Sequence, residues 1–145
     1  MPHAHVNGID LYYEVHGEGP ALVLAHGGGG NHLSWWQNVP ELSRHYRCVT
    51  IDHRGFGDSR DQNDGPGPNG FVEDLRQLLD HLGIERTALV GQSMGGWTVF
   101  GFAAPIRHAY AHWCFATRPR ESTIRKRCAR WRRCANRVAV TSRRC

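Results

Sequence analysis

Apolar runs alternate with mixed apolar and polar segments along residues 1–104, and this pattern predicts strands that alternate with helices. Ala21–Ala25 is a continuous apolar run, which is typical of a strand covered on both faces. A similar run ends at Gly91, and residues 71–82 place Phe and Leu at helical spacing before Gly83, a good residue for ending a helix. Because such alternation builds βαβ units, we expect an α/β fold with a mostly parallel sheet and flanking helices.

Three further segments complete the predicted order of elements. Asn7-Gly8 separates two short strand-like runs and is a strong signal for a β-hairpin. Residues 46–52 predict another buried strand, which is followed by a turn bounded by glycine. Residues 61–70 consist mainly of Asp, Asn, Gly and Pro, which indicates a loop.

Charge and composition divide the chain into two parts. Residues 1–103 hold 6 Arg, no Lys and 12 acidic residues, a net charge of −6. Residues 104–145 hold 12 basic residues and one acidic residue, a net charge of +11, and all 17 glycines precede them. We therefore expect residues 1–104 to belong to one domain and residues 105–145, rich in Arg and Cys, to form a disordered, non-native tail.

The candidate chemistry lies in Gly91-Gln92-Ser93-Met94-Gly95, a G-x-S-x-G that follows a predicted strand and opens a predicted helix. A sharp strand-to-helix turn lifts the serine side chain above the sheet, and glycines two residues away on each side avoid collisions. The N-terminus of the following helix points free N–H groups at any oxyanion. A second glycine loop, in the stretch LAHGGGG at residues 24–30, lets backbone N–H groups approach a substrate carbonyl.

These two motifs, together with DHRGFGDS at residues 52–59, resemble the α/β-hydrolase family in kind and in order. The resemblance covers about residues 6–104 and is greatest to the esterase, lactonase and C–C hydrolase branch. It implies that Ser93 is the nucleophile and that the N–H groups of Gly28 and Met94 form the oxyanion hole. It also implies hydrolysis of an ester, lactone or related acyl bond in a small molecule, with no cofactor, and a structural role for the turn at residues 52–59.

The triad of this family follows the chain order Ser, then Asp or Glu, then His. After Ser93 the only acidic residue is Glu121, and the only histidines, His108 and His112, precede it. We therefore expect a truncated, inactive hydrolase whose triad acid and histidine cannot be assigned in this sequence. A substitute pair of His26 and Asp52, which follow neighbouring strands, is the remaining alternative.

A change of reading frame near Ala104–Pro105 accounts for the tail. Reading the codons of residues 112–114 one base out of step forces Leu-Val, whichever synonymous codons are used. The neighbouring codons permit a loop and a buried apolar strand, which the family has after its nucleophile helix. Without that strand, the run ending at Gly91 is expected to present a free, apolar, aggregation-prone edge.

The sequence also contains features of other functional classes. The dense positive charge of residues 125–134, with Trp131 among it, could bind phosphates and stack on bases, so nonspecific binding of nucleic acid or other polyanions is the alternative function. The glycines at 27–30 lack the Lys-Ser/Thr ending of a phosphate loop. No metal site is expected, because no His or Cys spacing matches a zinc pattern; the histidines of the first part are expected on the surface or in loops (His26, His32, His45, His53).

The start of the chain has no basic segment followed by an apolar one, and no apolar run approaches the ~20 residues of a membrane span. We therefore expect a cytoplasmic protein that does not enter a membrane.

Overall fold

The structure, a computed structural model, describes residues 2–61 and 66–104 and the backbone of residues 113–116. The strands are β1 (His3–Val6), β2 (Ile9–His16), β3 (Ala21–Ala25), β4 (Arg47–Ile51), β5 (Thr87–Gln92) and β6 (Trp113–Ala116). The α-helices are α1 (Val39–Leu42), α2 (Phe71–His81) and α3 (Met94–Ala103), and two short 3-10 helices span His32–Trp35 and Gly67–Gly70.

The six strands form one mixed sheet in the order β1-β2-β4-β3-β5-β6. β3 pairs in parallel with β4 and β5, and β2 pairs antiparallel with β1 and β4. Asn7 and Gly8 both adopt positive φ angles, 46° and 79°, between β1 and β2, as a two-residue type I′ hairpin turn requires. The predicted α/β class, the mostly parallel sheet and the hairpin are confirmed.

The far edge of β5 differs from the expectation. The sequence predicts a free edge here, but β6 pairs with β5 in parallel, with Leu89 opposite Trp113 and Gln92 opposite Ala116. A short apolar stretch within the predicted tail thus fills the edge position, because its backbone supplies the partner groups that β5 needs. Residues 105–112 and 117–145 lie outside the described residues, so disorder of the tail stays a prediction.

Side chains from the two faces of the sheet form two apolar clusters. One cluster joins the sheet to α2 and α3, and α2 contributes Leu75, Leu78 and Leu79. The other is covered by Trp35 and Leu42 from the short helices. No helix within the described ranges is long and apolar enough to cross a membrane.

The C-terminal end of α2 shows how local sequence fixes this packing. Gly83 adopts a φ of 64°, and its N–H donates to the carbonyl of Asp80 while the N–H of Ile84 donates to Leu79. This is a Schellman motif, which satisfies carbonyls that the ending helix leaves unpaired. Ile84 then packs against the apolar cluster, so the chain turns directly towards β5.

A buried ion pair joins the turn after β4 to α2. The Arg54 guanidinium donates from Nε and an Nη to the two carboxylate oxygens of Asp74, at 2.7 and 2.6 Å. A Cβ at Gly70 would lie 2.6 Å from Nε of Arg54, so glycine leaves room for the guanidinium. Bidentate pairs of this kind fix orientation as well as charge, and this one fixes the turn at residues 52–59 relative to the helix.

Candidate active site

Ser93 is the single residue between β5 and α3. It adopts a φ of 48° and a ψ of −110°, and Asn7 is the other non-glycine residue with positive φ in the part of the chain that the structure describes. Such a conformation costs on the order of 1–3 kcal/mol and persists only where the surrounding structure imposes it. Ser93 is exposed at the carboxyl end of β5, so its hydroxyl is accessible to solvent.

Close backbone packing explains the glycines on either side of Ser93, and we call the segment Gly91–Gly95 the elbow. A Cβ on Gly91 would collide with the carbonyl of Gly95. A Cβ on Gly95 would collide with the carbonyl of Ala25 at the end of β3. The start of α3 therefore lies directly against β3, an approach that only glycine permits.

Four glycines, Gly27–Gly30, follow β3, and we call them the glycine loop. The N–H of Gly30 donates to the carbonyl of Gly27 at 3.0 Å, and Gly29 adopts a φ of 74°. A Cβ on Gly27 would lie 3.4 Å from Cβ of Ser93, so the loop passes against the elbow.

The two predicted oxyanion donors lie at this junction. A Cβ on Gly28 would lie 3.9 Å from Sδ of Met94, and Gly28 is exposed like Ser93. Met94 opens α3, where the first N–H groups have no acceptor within the helix. The structure thus places close together the three residues selected from the sequence, the exposed Ser93 and Gly28 and the half-buried Met94.

His26 precedes the glycine loop and is fully buried. Its Nδ1 lies 2.7 Å from the carbonyl oxygen of Gly27, and its Nε2 accepts the N–H of His53 at 3.0 Å. Both ring nitrogens are therefore occupied by backbone groups. Burial lowers the pKa of His26, so the ring stays neutral.

The alternative pair of His26 and Asp52 does not form. Asp52 accepts hydrogen bonds from the backbone N–H and from Nδ1 of His32, the latter at 2.9 Å, and from the N–H of Asp58 at 2.8 Å. With its nitrogens on Gly27 and His53, His26 has none left for either Asp52 or Ser93.

His53 has a structural role that the sequence does not predict. It is 2% exposed, and its Nε2 lies 2.8 Å from Oγ1 of Thr98 on α3. Burial lowers its pKa to about 3. The expectation of surface or loop histidines holds for His45, which is exposed. His26 and His53 lie in loop segments just after β3 and β4, as expected, but both are buried, and their rings pack edge to face with centroids 4.6 Å apart. In the sequence, the signal for their burial is that each lies just after a predicted buried strand. The expectation is wrong for His32, which is half-buried in the 3-10 helix His32–Trp35.

One group of side chains has the ligand types of a metal site. Ligand atoms of His32, Asp52 and Asp58 lie within 4.8 Å of one another. However, the N–H groups of His32 and Asp58 and the ring of His32 already bind the Asp52 carboxylate. A cation would have to displace these bonds, so the group is built as a hydrogen-bonded turn. Ser59 at the end of this turn accepts the backbone N–H of Tyr12 at 2.7 Å, which attaches the turn to β2.

Comparison with known proteins gives consistent results. A family model described as the alpha/beta hydrolase fold matches residues 20–107. The chain is 33% identical over 100 residues to a soluble epoxide hydrolase of Corynebacterium sp. (strain C12), with 69% of this chain and 35% of that protein covered. It is 38% identical over 105 residues to a 2-hydroxy-6-oxo-2,4-heptadienoate hydrolase of Pseudomonas putida, with 70% and 38% covered.

A solved structure shows the same similarity at the level of the fold. The enol-lactonase from Burkholderia xenovorans LB400 superimposes with a TM-score of 0.68 at 36% identity, covering 74% of this chain and 42% of that one. The chain spans about a third of the length of the curated relatives it matches.

Proposed function

Because the chain belongs to the α/β-hydrolase family, we propose that Ser93 is the nucleophile of a serine hydrolase that cleaves an ester, lactone or related acyl bond. The observation that carries this proposal is the conformation of Ser93, a strained single-residue turn with its side chain exposed between β5 and α3. Strain of this kind is concentrated at functional sites. The similarity to an enol-lactonase supports the choice of an acyl-type bond.

In the proposed reaction the Oγ of Ser93 attacks the substrate carbonyl carbon, and the carbonyl oxygen takes the negative charge. The N–H groups of Gly28 and Met94 donate to that oxyanion. The N-terminus of α3 adds the positive end of its helix dipole. Removal of one such donor lowers the reaction rate about 10²–10³-fold in characterised enzymes.

The proton of the Ser93 hydroxyl needs an acceptor, because an unassisted hydroxyl is a weak nucleophile. His26 has both nitrogens bound to backbone groups, and burial holds the pKa of His53 at about 3. Neither histidine is suited to take this proton. We infer that the triad acid and base belong to a part of the enzyme outside residues 1–104, and that this chain retains only ~10³–10⁴-fold catalysis over water.

We also propose that residues 1–104 are the hydrolase part and that the reading frame changes near Ala104–Pro105. The family match ends at residue 107, and β6 lies where the shifted frame predicts a strand. Sequencing the gene across the codons of residues 102–112 tests this. A missing or extra base supports the proposal, and an uninterrupted frame contradicts it. Polyanion binding by the tail and a cytoplasmic location stay predictions.

Covalent labelling with a fluorophosphonate, read by peptide mass spectrometry, tests the nucleophile. We expect slow formation of an adduct on the peptide that contains Ser93. Ser93→Ala removes the nucleophile and should abolish the adduct. Ser43→Ala is the matched control, because Ser43 follows the last residue of α1 and its hydroxyl donates to the nearby carbonyl of Pro40. An adduct of equal yield in Ser93→Ala, or none in the unaltered chain, would contradict the proposal.

A further inference from the structure

We propose that His26 is a positioning residue for the oxyanion hole: it fixes the peptide that joins Gly27 to Gly28, and thereby aims the N–H of Gly28. This inference rests on the proposed function for the role of that N–H. The fixing of the peptide itself rests on hydrogen bonds in the structure. His26 touches no reacting atom and acts through the backbone of the glycine loop.

The geometry of the peptide bond carries the first step. In a planar trans peptide the C=O of Gly27 and the N–H of Gly28 point in opposite directions. The carbonyl oxygen of Gly27 receives the ring of His26 at 2.7 Å and the N–H of Gly30 at 3.0 Å. Two donors on this oxygen hold the carbonyl direction, so they also hold the direction of the Gly28 N–H. Without them, a glycine loop is the most flexible backbone available.

The second step fixes which nitrogen of His26 carries the proton. The backbone N–H of His53 points at Nε2 of His26 at 3.0 Å, so Nε2 must be the acceptor. A neutral imidazole then has its hydrogen on Nδ1, which makes Nδ1 the donor to Gly27. The turn after β4 thus selects the tautomer that the glycine loop needs.

The third step connects the loop to the elbow. The ring of His53 lies 2.8 Å, at Nε2, from Oγ1 of Thr98 on α3, the helix that begins at Met94. One chain of contacts therefore runs from α3 through His53 and His26 to the carbonyl of Gly27. Gly28 follows the carbonyl at one end of this chain, and Met94 lies about one helical turn before Thr98 at the other.

Two substitutions separate positioning from simple space filling. The amide nitrogen of Asn occupies the place of Nδ1, so His26→Asn keeps a donor for Gly27 and loses the acceptor for His53. The end of a Gln side chain occupies the place of Nε2, so His26→Gln keeps the contact with His53 and loses the donor for Gly27. A purely structural role would lower reactivity in both variants in proportion to their stability. His45→Gln, at an exposed histidine, is the matched control.

The first readout is the second-order rate constant for fluorophosphonate labelling of Ser93. We expect His26→Gln to react about 10–100-fold more slowly than the unaltered chain. This is less than the 10²–10³-fold loss of rate when an oxyanion donor is removed altogether, because the Gly28 N–H is still present. His26→Asn should recover most of that loss, and His45→Gln should react like the unaltered chain. Equal rates in His26→Asn and His26→Gln, with Ser93 still labelled, would overturn the inference and leave the proposed nucleophile standing.

The second readout does not depend on labelling. The NMR order parameter of the Gly28 N–H reports motion of this peptide directly. We expect it to fall in His26→Gln, and to stay near that of rigid backbone in His26→Asn. Thr98→Val, which keeps the shape of the side chain and removes its hydroxyl, should loosen the peptide less than His26→Gln. An unchanged order parameter in His26→Gln would overturn the inference, even if Ser93 were not labelled and the proposed nucleophile failed.

Discussion

The elbow and the glycine loop face each other across the candidate site, but different interactions hold them. The elbow is held by exclusion, since backbone atoms of Gly95 and Ala25 occupy the space that a Cβ at Gly91 or Gly95 would need. The glycine loop is held by attraction, since hydrogen bonds from His26 and Gly30 fix the carbonyl of Gly27. The elbow thus keeps Ser93 in one strained conformation, and the glycine loop keeps the peptide between Gly27 and Gly28 in one orientation.

This difference teaches where each turn is vulnerable. Steric exclusion fails when a side chain is added, and hydrogen bonding fails when a donor or acceptor is removed or changes its protonation. The changes described below add or remove a Cβ at both turns and change the protonation of His53 behind the glycine loop, beginning with the largest expected effect.

Gly95→Ala should have the largest effect. The new methyl group would overlap the carbonyl of Ala25, a backbone atom that no rotamer change can move. We expect a loss of about 3 kcal/mol or more in the free energy of unfolding, at the upper end for overpacking. Urea unfolding followed by circular dichroism measures it. A variant as stable as the unaltered chain would contradict the packing of α3 against β3.

Acid should weaken the turn that supports the glycine loop. Burial lowers the pKa of His53 from its usual 6.5 to about 3, so between these values the unfolded chain binds a proton that the folded chain does not. Stability therefore falls as pH drops below 6.5. The loss due to this group reaches about 2 kcal/mol at pH 5, from 1.36 kcal/mol per pKa unit.

The measurement is the urea midpoint at pH 7.5 and pH 5 for the unaltered chain and for His53→Gln. The variant lacks the titrating group. Between pH 7.5 and pH 5 we therefore expect its free energy of unfolding to fall by about 2 kcal/mol less than that of the unaltered chain. Burial lowers the pKa of His26 as well, which leaves a residual loss of the same sign. Equal pH dependence in the two proteins would mean that His53 is not buried as described.

Ser93→Gly should stabilise the chain while it abolishes labelling. Glycine adopts the φ of 48° readily, so we expect a gain of about 0.5–1 kcal/mol, the strain relieved less the larger backbone entropy of glycine. Ser93→Ala keeps the Cβ and should gain nothing. The comparison of these two variants by thermal unfolding separates backbone strain from loss of the hydroxyl. Equal stability of the two would show that the elbow is unstrained.

Methyl groups added to the glycine loop should also have small effects. Gly29 has a φ of 74° with nothing within 4 Å of an added Cβ, so Gly29→Ala should cost about 1 kcal/mol from strain alone. Gly28 has ordinary φ and only Sδ of Met94 at 3.9 Å, so Gly28→Ala should stay within about 0.5 kcal/mol. A large loss at Gly28 would show that this loop, like the elbow, is held by exclusion.

The sequence predicted the elbow better than it predicted the interactions behind the glycine loop. The elbow is a local motif, and the order strand, Ser93, helix can be inferred from residues 87–103 alone. The roles of His26 and His53 depend on contacts between segments far apart in the chain, and their positions just after buried strands indicate burial but not these contacts. The pairing of β6 with β5 was missed because composition assigned residues 105–145 to a tail, although four of its residues form a strand.

The single-residue connection at Ser93 restricts how this site can change over evolutionary time. An insertion or deletion between β5 and α3 would move Gly91 or Gly95 away from the backbone atoms they pack against, so we expect it to disrupt the elbow. Length variation must then occur in other loops, where it alters which molecules reach the hydroxyl without moving it. Of the three non-glycine positions of the elbow, position 93 is the exposed one, so a single codon change there alters the exposed chemistry while the path of the backbone stays the same.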